Sequence, residues 1–288
     1  MPADQSLISH VSDTARWVAY YRAIESDRPD ALFRDRFARR LAGEQGKAIA
    51  HGIKRGLTMA WPMIVRTAVL DEMILEAVRA RGVDVVLNLA AGLDTRPWRL
   101  PLPPSLHWVD VDLAPMLDLK LGEIGTEAPV CGYEAVRLDL ADLDERRRLF
   151  RRVGDRGKRV LVMTEGLLIY LTADLVAGLA RDLHQEPAFA FWLTDLASPD
   201  LIRMLEKTWG KTVRAGNAPF QFAPAEGTAF FRPLGWREAE WRSTFHEGLR
   251  LKRTMRFGRF WGLLMGLGGA ERREKAKRFS GIALLERG

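Results

Sequence analysis

Apolar positions along this chain change their period near residue 82, from helical spacing to short continuous runs. Over residues 62–81 the apolar positions Ile64, Ala68, Met73 and Leu75 follow Pro62 and precede Gly82. That predicts one amphipathic helix with proline in its first turn and glycine just past its end. Strand-like runs come next at Val83–Leu89, Leu106–Val111, Tyr133–Leu138, Val160–Thr164 and Ala188–Thr194. Helical segments lie between most of them, including Asp142–Val153 and Thr172–Gln185. Such alternation predicts βαβ units, a parallel sheet, and ligands at the carboxyl ends of its strands. Residues 11–42 read as helices rich in arginine and aromatics, broken at Arg28-Pro29-Asp30. The last third reads as a helix ending near Gly235, a strand Glu238–Ser243, a basic helical insertion over 246–278 and a final strand Gly281–Glu286. The expected division is a helical cap over 1–81 and an α/β ligand-binding domain over 82–288.

Two of the apolar runs carry the most informative chemistry. Val83–Leu89 closes on Ala90-Ala91-Gly92, and the next run ends in Asp110 and Asp112. A strand ending in small residues lets a ligand approach the backbone. A carboxylate at the end of the following strand, roughly 20 residues on, is placed to accept from ribose hydroxyls. The loop lacks the several glycines that cradle a pyrophosphate. This points to a nucleoside ligand without phosphates, of which S-adenosylmethionine is the commonest. Asp110 and Asp112 alternate onto the same strand face and both remain candidates on periodicity alone. Asp94 and Thr95 are placed to cap the following helix.

Composition narrows the class. The 288 residues, 47% of them hydrophobic, suit one large α/β domain or a domain plus a cap. The single cysteine, Cys131, excludes an intramolecular disulfide and fits a cytoplasmic protein. Met1 to Tyr21 lacks the apolar core of a signal peptide. The best membrane candidate, Phe260–Gly268, is glycine-broken and far short of the roughly 18 apolar residues of a span. The net charge of +7 admits nucleic acid, an anionic membrane or an acidic substrate as partner. The excess is spread through Arg146–Arg148, Arg151–Arg152 and Arg272–Arg273, read here as solvated helix faces, and no nucleic-acid-binding signature accompanies it. His10, His51, His107, His184 and His246 show no metal spacing, so no metal site is expected.

Four stretches, in this order and spacing, resemble the leucine carboxyl methyltransferase family in its bacterial branch, which includes polyketide carboxyl O-methyltransferases. The first is Thr14-Ala-Arg-Trp-Val-Ala19 with Glu25-Ser26 and Arg28-Pro-Asp-Ala-Leu-Phe33. Then come Val65-Arg-Thr67, and Ala91-Gly-Leu-Asp-Thr-Arg96 with Trp98-Arg-Leu100. Arg137-Leu-Asp-Leu140 and Thr164-Glu-Gly-Leu-Leu-Ile-Tyr170 complete the set. The resemblance covers roughly residues 14 to 175 and weakens after 200. It implies a class I methyltransferase fold: a Rossmann-like, doubly wound sheet with its last strand antiparallel, an N-terminal helical cap and a late helical insertion.

The resemblance also implies roles. Gly92, with Ala90 in place of an earlier glycine, would meet the methionyl part of S-adenosylmethionine, and Asp112 its ribose. Asp139 would accept from the adenine amino group while the Leu140 N–H donates to the ring. Glu165 would be a cofactor-contacting acid, and Arg66 would hold the cofactor carboxylate through its planar fork. On the acceptor side the candidates are Tyr21, Arg22, Tyr170, Arg214 and Arg232, with Trp17 and Tyr20 as further lid aromatics. Lys211 and the helix through Phe257, Phe260 and Trp261 are expected to wall that site.

The expected reaction transfers a methyl group to a carboxylate of a small molecule, polyketide or peptide. A carboxylic acid is ionised far below pH 7 and needs no general base, which suits a chain with no evident catalytic histidine. A phenol or hydroxyl acceptor is the alternative enzyme, distinguished by a product that resists mild alkali. A non-catalytic cofactor-binding or regulatory protein is the alternative of another class, and salt-dependent retention on DNA would favour it.

Overall fold

The structure is a computed structural model and describes residues 11–53, 55–215, 219–255, 258 and 269–288. Its strands are β1 (Val85–Leu89), β2 (His107–Asp112), β3 (Gly132–Arg137), β4 (Val160–Thr164), β5 (Phe189–Ala197), β6 (Trp236–Ser243) and β7 (Ser280–Arg287). They form one seven-stranded sheet in the order β3-β2-β1-β4-β5-β7-β6. β1 to β5 are parallel, and β7 runs antiparallel between β5 and β6. The expected doubly wound sheet with an antiparallel last strand is therefore present. In register, Leu89 lies beside Val111 of β2 and Thr164 of β4. The loops after these strands consequently open at one edge, where the strand order reverses.

β4 occupies the predicted residues, and the other strands are displaced by small steps. β1 starts at Val85 because the Asp84 carboxylate is occupied outside the sheet, accepting from the N–H groups of Lys158 and Arg159. All five β1 residues are buried, as a parallel strand covered on both faces requires.

The helices are α1 (Val11–Ser26), α2 (Ala38–Gly52), α3 (Trp61–Ala80), the single turn α4 (Arg96–Arg99), α5 (Ala114–Ile124), α6 (Leu143–Arg156), α7 (Ala173–His184), α8 (Pro199–Ala215), α9 (Thr244–Arg250) and α10 (Ala270–Lys277). The periodic stretch at 62–81 is α3, with Pro62 in its first turn. Val65, Val69, Met73 and Ile74 of α3 share one core with Val86, Trp108, Leu161 and Met163 of the sheet. The helix that closes the expected cap is thus also a layer on the sheet. Trp17, Tyr20, Tyr21, Leu41 and Ile49 of α1 and α2 pack with Ile64, Leu93 and Trp98. α1 and α2 approach closely at Gly46, where a Cβ would fall 2.3 Å from the Arg16 carbonyl oxygen.

One reading of charge changes in part. Arg146 is buried and pairs with Asp182, which also pairs with Arg147, while Arg152 pairs with Glu134. Arg146 alone departs from the expected solvated face, joining α6 to α7, while Arg147, Arg148, Arg151 and Arg152 are exposed. The region expected as a basic helical insertion contains, among its described residues, α9, a turn at Leu251–Lys252 and α10. Phe257, Phe260 and Trp261 lie outside the described residues. Among the described residues no helix is long and apolar enough to cross a membrane, and no group of side chains could hold a metal ion.

Candidate active site

At the carboxyl edge of β1, β2 and β4 lies a cavity of about 1060 Å³, at the upper end of the size range for ligand sites. Its floor is made by the loops after these strands. Gly92 has φ +50°, a left-handed backbone that glycine adopts without a steric cost. The nearest atom to a Cβ placed there is Ala15 Cβ at 3.7 Å, so the backbone faces open space that a ligand can enter. Ala90 also has a positive φ, +53°, a conformation costing an L-residue of order 1–2 kcal/mol. The alanine that replaces an expected glycine therefore keeps the glycine's conformation.

Asp112 and Asp110 divide their roles clearly. Asp112 lines the cavity and accepts from the Gly92 N–H at 2.7 Å and the Leu113 N–H at 2.7 Å. Burial raises its pKa, against those two N–H groups. Each carboxylate oxygen keeps a lone pair for a further donor. Asp110, the other candidate, is fully buried and pairs with Lys120 at 2.7 Å while accepting from Trp108 and Asn88. It belongs to the core.

The wall between β1 and β4 is a lattice of ion pairs centred on Arg96. Its guanidinium reaches Asp71 at 2.7 Å, Asp94 at 2.6 Å and Glu165 at 2.8 Å. Arg66, on α3, lies 3.0 Å from Glu165 and 3.0 Å from Asp195 at the end of β5. Burial alone would raise the Glu165 pKa, but the Arg96 and Arg66 guanidinium groups hold it down at about 2. Arg66 is displaced the opposite way: burial opposes its charge, and Glu165 and Asp195 more than compensate. The Arg66 Nε is buried against Glu165 without an aligned hydrogen bond, and the side chain lines the cavity. Asp195 fixes this corner a second time by accepting from the Gly166 N–H at 2.7 Å.

Sequence reasoning missed Asp195, Asp71 and Asn88, and gave Arg96 no role. Arg96 was visible within the Asp-Thr-Arg stretch. Its partners are distant in sequence and carry no local pattern. Asp94 does act at the head of α4, accepting from the Arg96 N–H at 2.8 Å. Thr95, expected to share the capping, instead donates to Asp35 at 2.7 Å.

Expected acceptor residues divide into three groups. Tyr170 lines the cavity, stacked on Phe220 at 5.9 Å, and burial raises its pKa. Tyr21 and Arg22 also line it, but their polar atoms are engaged within the protein. The Tyr21 hydroxyl donates to the Gly56 carbonyl at 2.6 Å, and Arg22 donates to Asp35 at 2.9 Å and to the Leu93 carbonyl at 2.6 Å. Arg232 is a correction: it sits exposed on the 3-10 turn Gly227–Leu234, outside the cavity wall. Lys211 and Arg214 fall within the backbone of α8, and their side chains lie outside the described residues. Asp139 and Leu140, expected to read the adenine, sit beyond the end of β3 and are not on the cavity lining. The exposed Asp139 carboxylate accepts from the Ala141 N–H at 2.9 Å. Trp17, a lid candidate, is buried but lines the cavity and meets Trp209 of α8 edge-on at 5.2 Å. Trp209, Met204, Phe220, Phe222 and Met255 make the opposite side of the cavity apolar.

The family model for leucine carboxyl methyltransferases matches residues 15–184, which include Arg66, Gly92, Asp112, Arg96 and Glu165. The chain belongs to the leucine carboxyl methyltransferase family. A Streptomyces coelicolor protein, provisionally named an S-adenosyl-L-methionine-dependent methyltransferase, is 34% identical over 190 residues, covering 62% of this chain and 66% of that protein. A Mycobacteroides abscessus protein with the same provisional name is 36% identical over 177 residues, covering 58% of this chain and 57% of that protein. These matches span less than two thirds of either relative. Two solved structures extend the likeness to nearly the whole chain. A DUF574 family protein of Streptomyces avermitilis has a TM-score of 0.62 at 12% identity, covering 96% of this chain and 97% of its own. A Thermobifida fusca protein, provisionally named a methyltransferase, has a TM-score of 0.60 at 16% identity, covering 99% and 97%. At such identities the likeness concerns the fold, which is that of the class I methyltransferases.

Proposed function

We propose that this member of the family is an S-adenosylmethionine-dependent O-methyltransferase that esterifies a carboxylate of a small molecule, polyketide or peptide. The observation that carries the reading is the convergence of Gly92, Asp112, Glu165 and Arg66 on one cavity at the point where strand order reverses. The provisional names of the relatives support it.

The residues present fit the cofactor. The open backbone at Gly92, with Ala90, receives the methionyl part. The Asp112 carboxylate accepts from ribose hydroxyls, and Arg66 donates to a carboxylate through its remaining N–H groups. Glu165, ionised down to a pH of about 2, offers an acceptor for an ammonium group. Asp139 and the Leu140 N–H read the adenine edge. The bound cofactor supplies an electrophilic methyl group on a sulfonium.

The remaining catalytic work is positioning and exclusion of water by the apolar side of the cavity. Tyr170 is the acceptor-side group best placed to orient a carboxylate, because its hydroxyl stays protonated and can donate. Tyr21 contributes its ring, and Arg22 holds the Gly92 loop through the Leu93 carbonyl.

The test is incubation with S-adenosylmethionine labelled on the methyl group and a panel of carboxylic acids. Labelled methanol released by mild alkali is the expected result. Label that survives alkali would assign a hydroxyl acceptor, and label that never leaves the cofactor would favour a binding protein.

A further inference from the structure

Arg66 enters the cavity from α3, whereas the floor it serves is built by loops after the strands, so the direction of its guanidinium must be fixed from elsewhere. Three contacts at the ends of β4 and β5 fix it. Glu165 faces Nε at 3.0 Å, and Asp195 accepts from Nη1 at 3.0 Å. The backbone of Gly166 lies against the guanidinium, where a Cβ would fall 3.3 Å from Nη1. Nη2 makes no hydrogen bond among the described residues, and it is the donor left for a ligand.

The two acids hold Arg66 differently. Glu165 is shared, since its other oxygen pairs with Arg96 at 2.8 Å, and its contact with the Arg66 Nε is unaligned. Asp195 commits one oxygen to the Gly166 N–H at 2.7 Å and the other to Arg66. It thereby ties the guanidinium to the turn after β4. Asp195 also lines the cavity itself. By charge alone it repels any carboxylate that Arg66 holds, and the site would bind that carboxylate better without it. It favours such a ligand only by orienting the fork, because a planar donor set matches a carboxylate in few directions and a preset one loses less freedom on binding. The two effects have opposite signs.

We propose that Asp195 is a positioning residue of the cofactor site. It turns the Arg66 fork so that Nη2 meets the carboxylate at the amino-acid end of the cofactor, and so makes the site select nucleosides that carry this end intact. The proposal rests on the placement of the cofactor carboxylate at Arg66 given above.

The test is calorimetry on the full chain with S-adenosylhomocysteine and with its decarboxylated analogue, which keeps the ammonium. The readout is the ratio of the two affinities. A loosened fold lowers both alike, and any direct effect of the lost charge on the shared ammonium cancels. The parent should prefer S-adenosylhomocysteine by at least about tenfold, and Asp195→Ala should lower that preference about fivefold. Asp195→Asn keeps the side-chain shape but sets one acceptor oxygen against two donors, the Gly166 N–H and Arg66 Nη1, and should lower the preference in the same sense. In Arg66→Ala the preference should be lost, and adding Asp195→Ala should change it no further, since Asp195 acts through Arg66. A preference that rises in Asp195→Ala would show repulsion as the residue's whole effect and overturn the proposal. An unchanged preference, or a further fall in the Arg66→Ala background, overturns it as well and leaves the cofactor placement standing. If the parent shows no preference, or Arg66→Ala keeps it, the carboxylate is held elsewhere and the placement falls together with the proposal.

Discussion

Around Arg96 each buried charge meets an opposite one, and the side chains are fixed from several elements at once. Elsewhere on the wall of the same cavity Trp209 meets Trp17 edge to face, Phe220 stacks on Tyr170 and Phe222 packs on Phe230. The floor is therefore specified by a bonded lattice that one ligand geometry can match. The aromatic side is specified by shape. A family can keep such a floor and change its acceptor by altering the other side alone.

The strongest way to break this contrast is Arg96→Ala. It leaves Asp71, Asp94 and Glu165 without their shared cation, and removing one partner of a buried pair costs about 3–5 kcal/mol. Denaturant unfolding should show a loss of that size. A loss below about 1 kcal/mol would mean that the lattice is not a structural unit.

The cofactor side comes next. Asp112→Ala and Arg66→Ala should each weaken S-adenosylmethionine binding by about 1.5–3 kcal/mol, the range for a bond to a charged group, as read by calorimetry. Parent-like binding in both variants would misplace the cofactor.

The two acids of the floor should also separate on acidification. Glu165 has its pKa depressed from 4.5 to about 2, so its stabilisation is complete above about 4.5 and is lost as pH falls toward 2. Asp112 is shifted upward by burial, so it takes up its proton above the ordinary carboxylate value of 3.8. Cofactor affinity should therefore fall before stability does as pH is lowered. Glu165→Gln should flatten the acid limb of the stability profile and leave the earlier loss of affinity in place.

On the apolar side, Trp209→Ala should weaken the acceptor on the order of tenfold, about 1.4 kcal/mol, and leave cofactor affinity near the parent's. A comparable loss for both ligands would erase the distinction between the two sides. The smallest effect is expected from Asp139→Asn, about 0.5–1 kcal/mol of cofactor affinity, because water can replace that exposed carboxylate.

The sheet and most helices were legible because buried strands read as apolar runs and α3 carries a clear period between its proline and glycine. The cofactor loop was legible because a strand, a small-residue turn and a distant acid keep a fixed spacing. The ion-pair lattice was not. Asp195 is 129 positions from Arg66, and no local period announces a contact made by topology alone. Asp110 and Asp112 could not be separated by alternation, since the difference lies in Lys120 of α5 reaching one and the Gly92 N–H reaching the other. Arg232 was misplaced because the 3-10 turn carries it to the exterior, a rotation that residue type does not encode.

The buried pair of Glu25 and Arg253 joins positions 228 residues apart, and β7, the last strand, inserts between β5 and β6. During synthesis the parallel strands β1 to β5 can assemble as they emerge, since domains fold from the N-terminal side. α1 is fastened on this side only when residue 253 arrives, and β6 gains its sheet partner only when β7 does. A growing chain of this protein thus acquires its cofactor floor before its acceptor chamber is closed. A truncation that removes β7 would leave the floor's loops in place beside an exposed sheet edge.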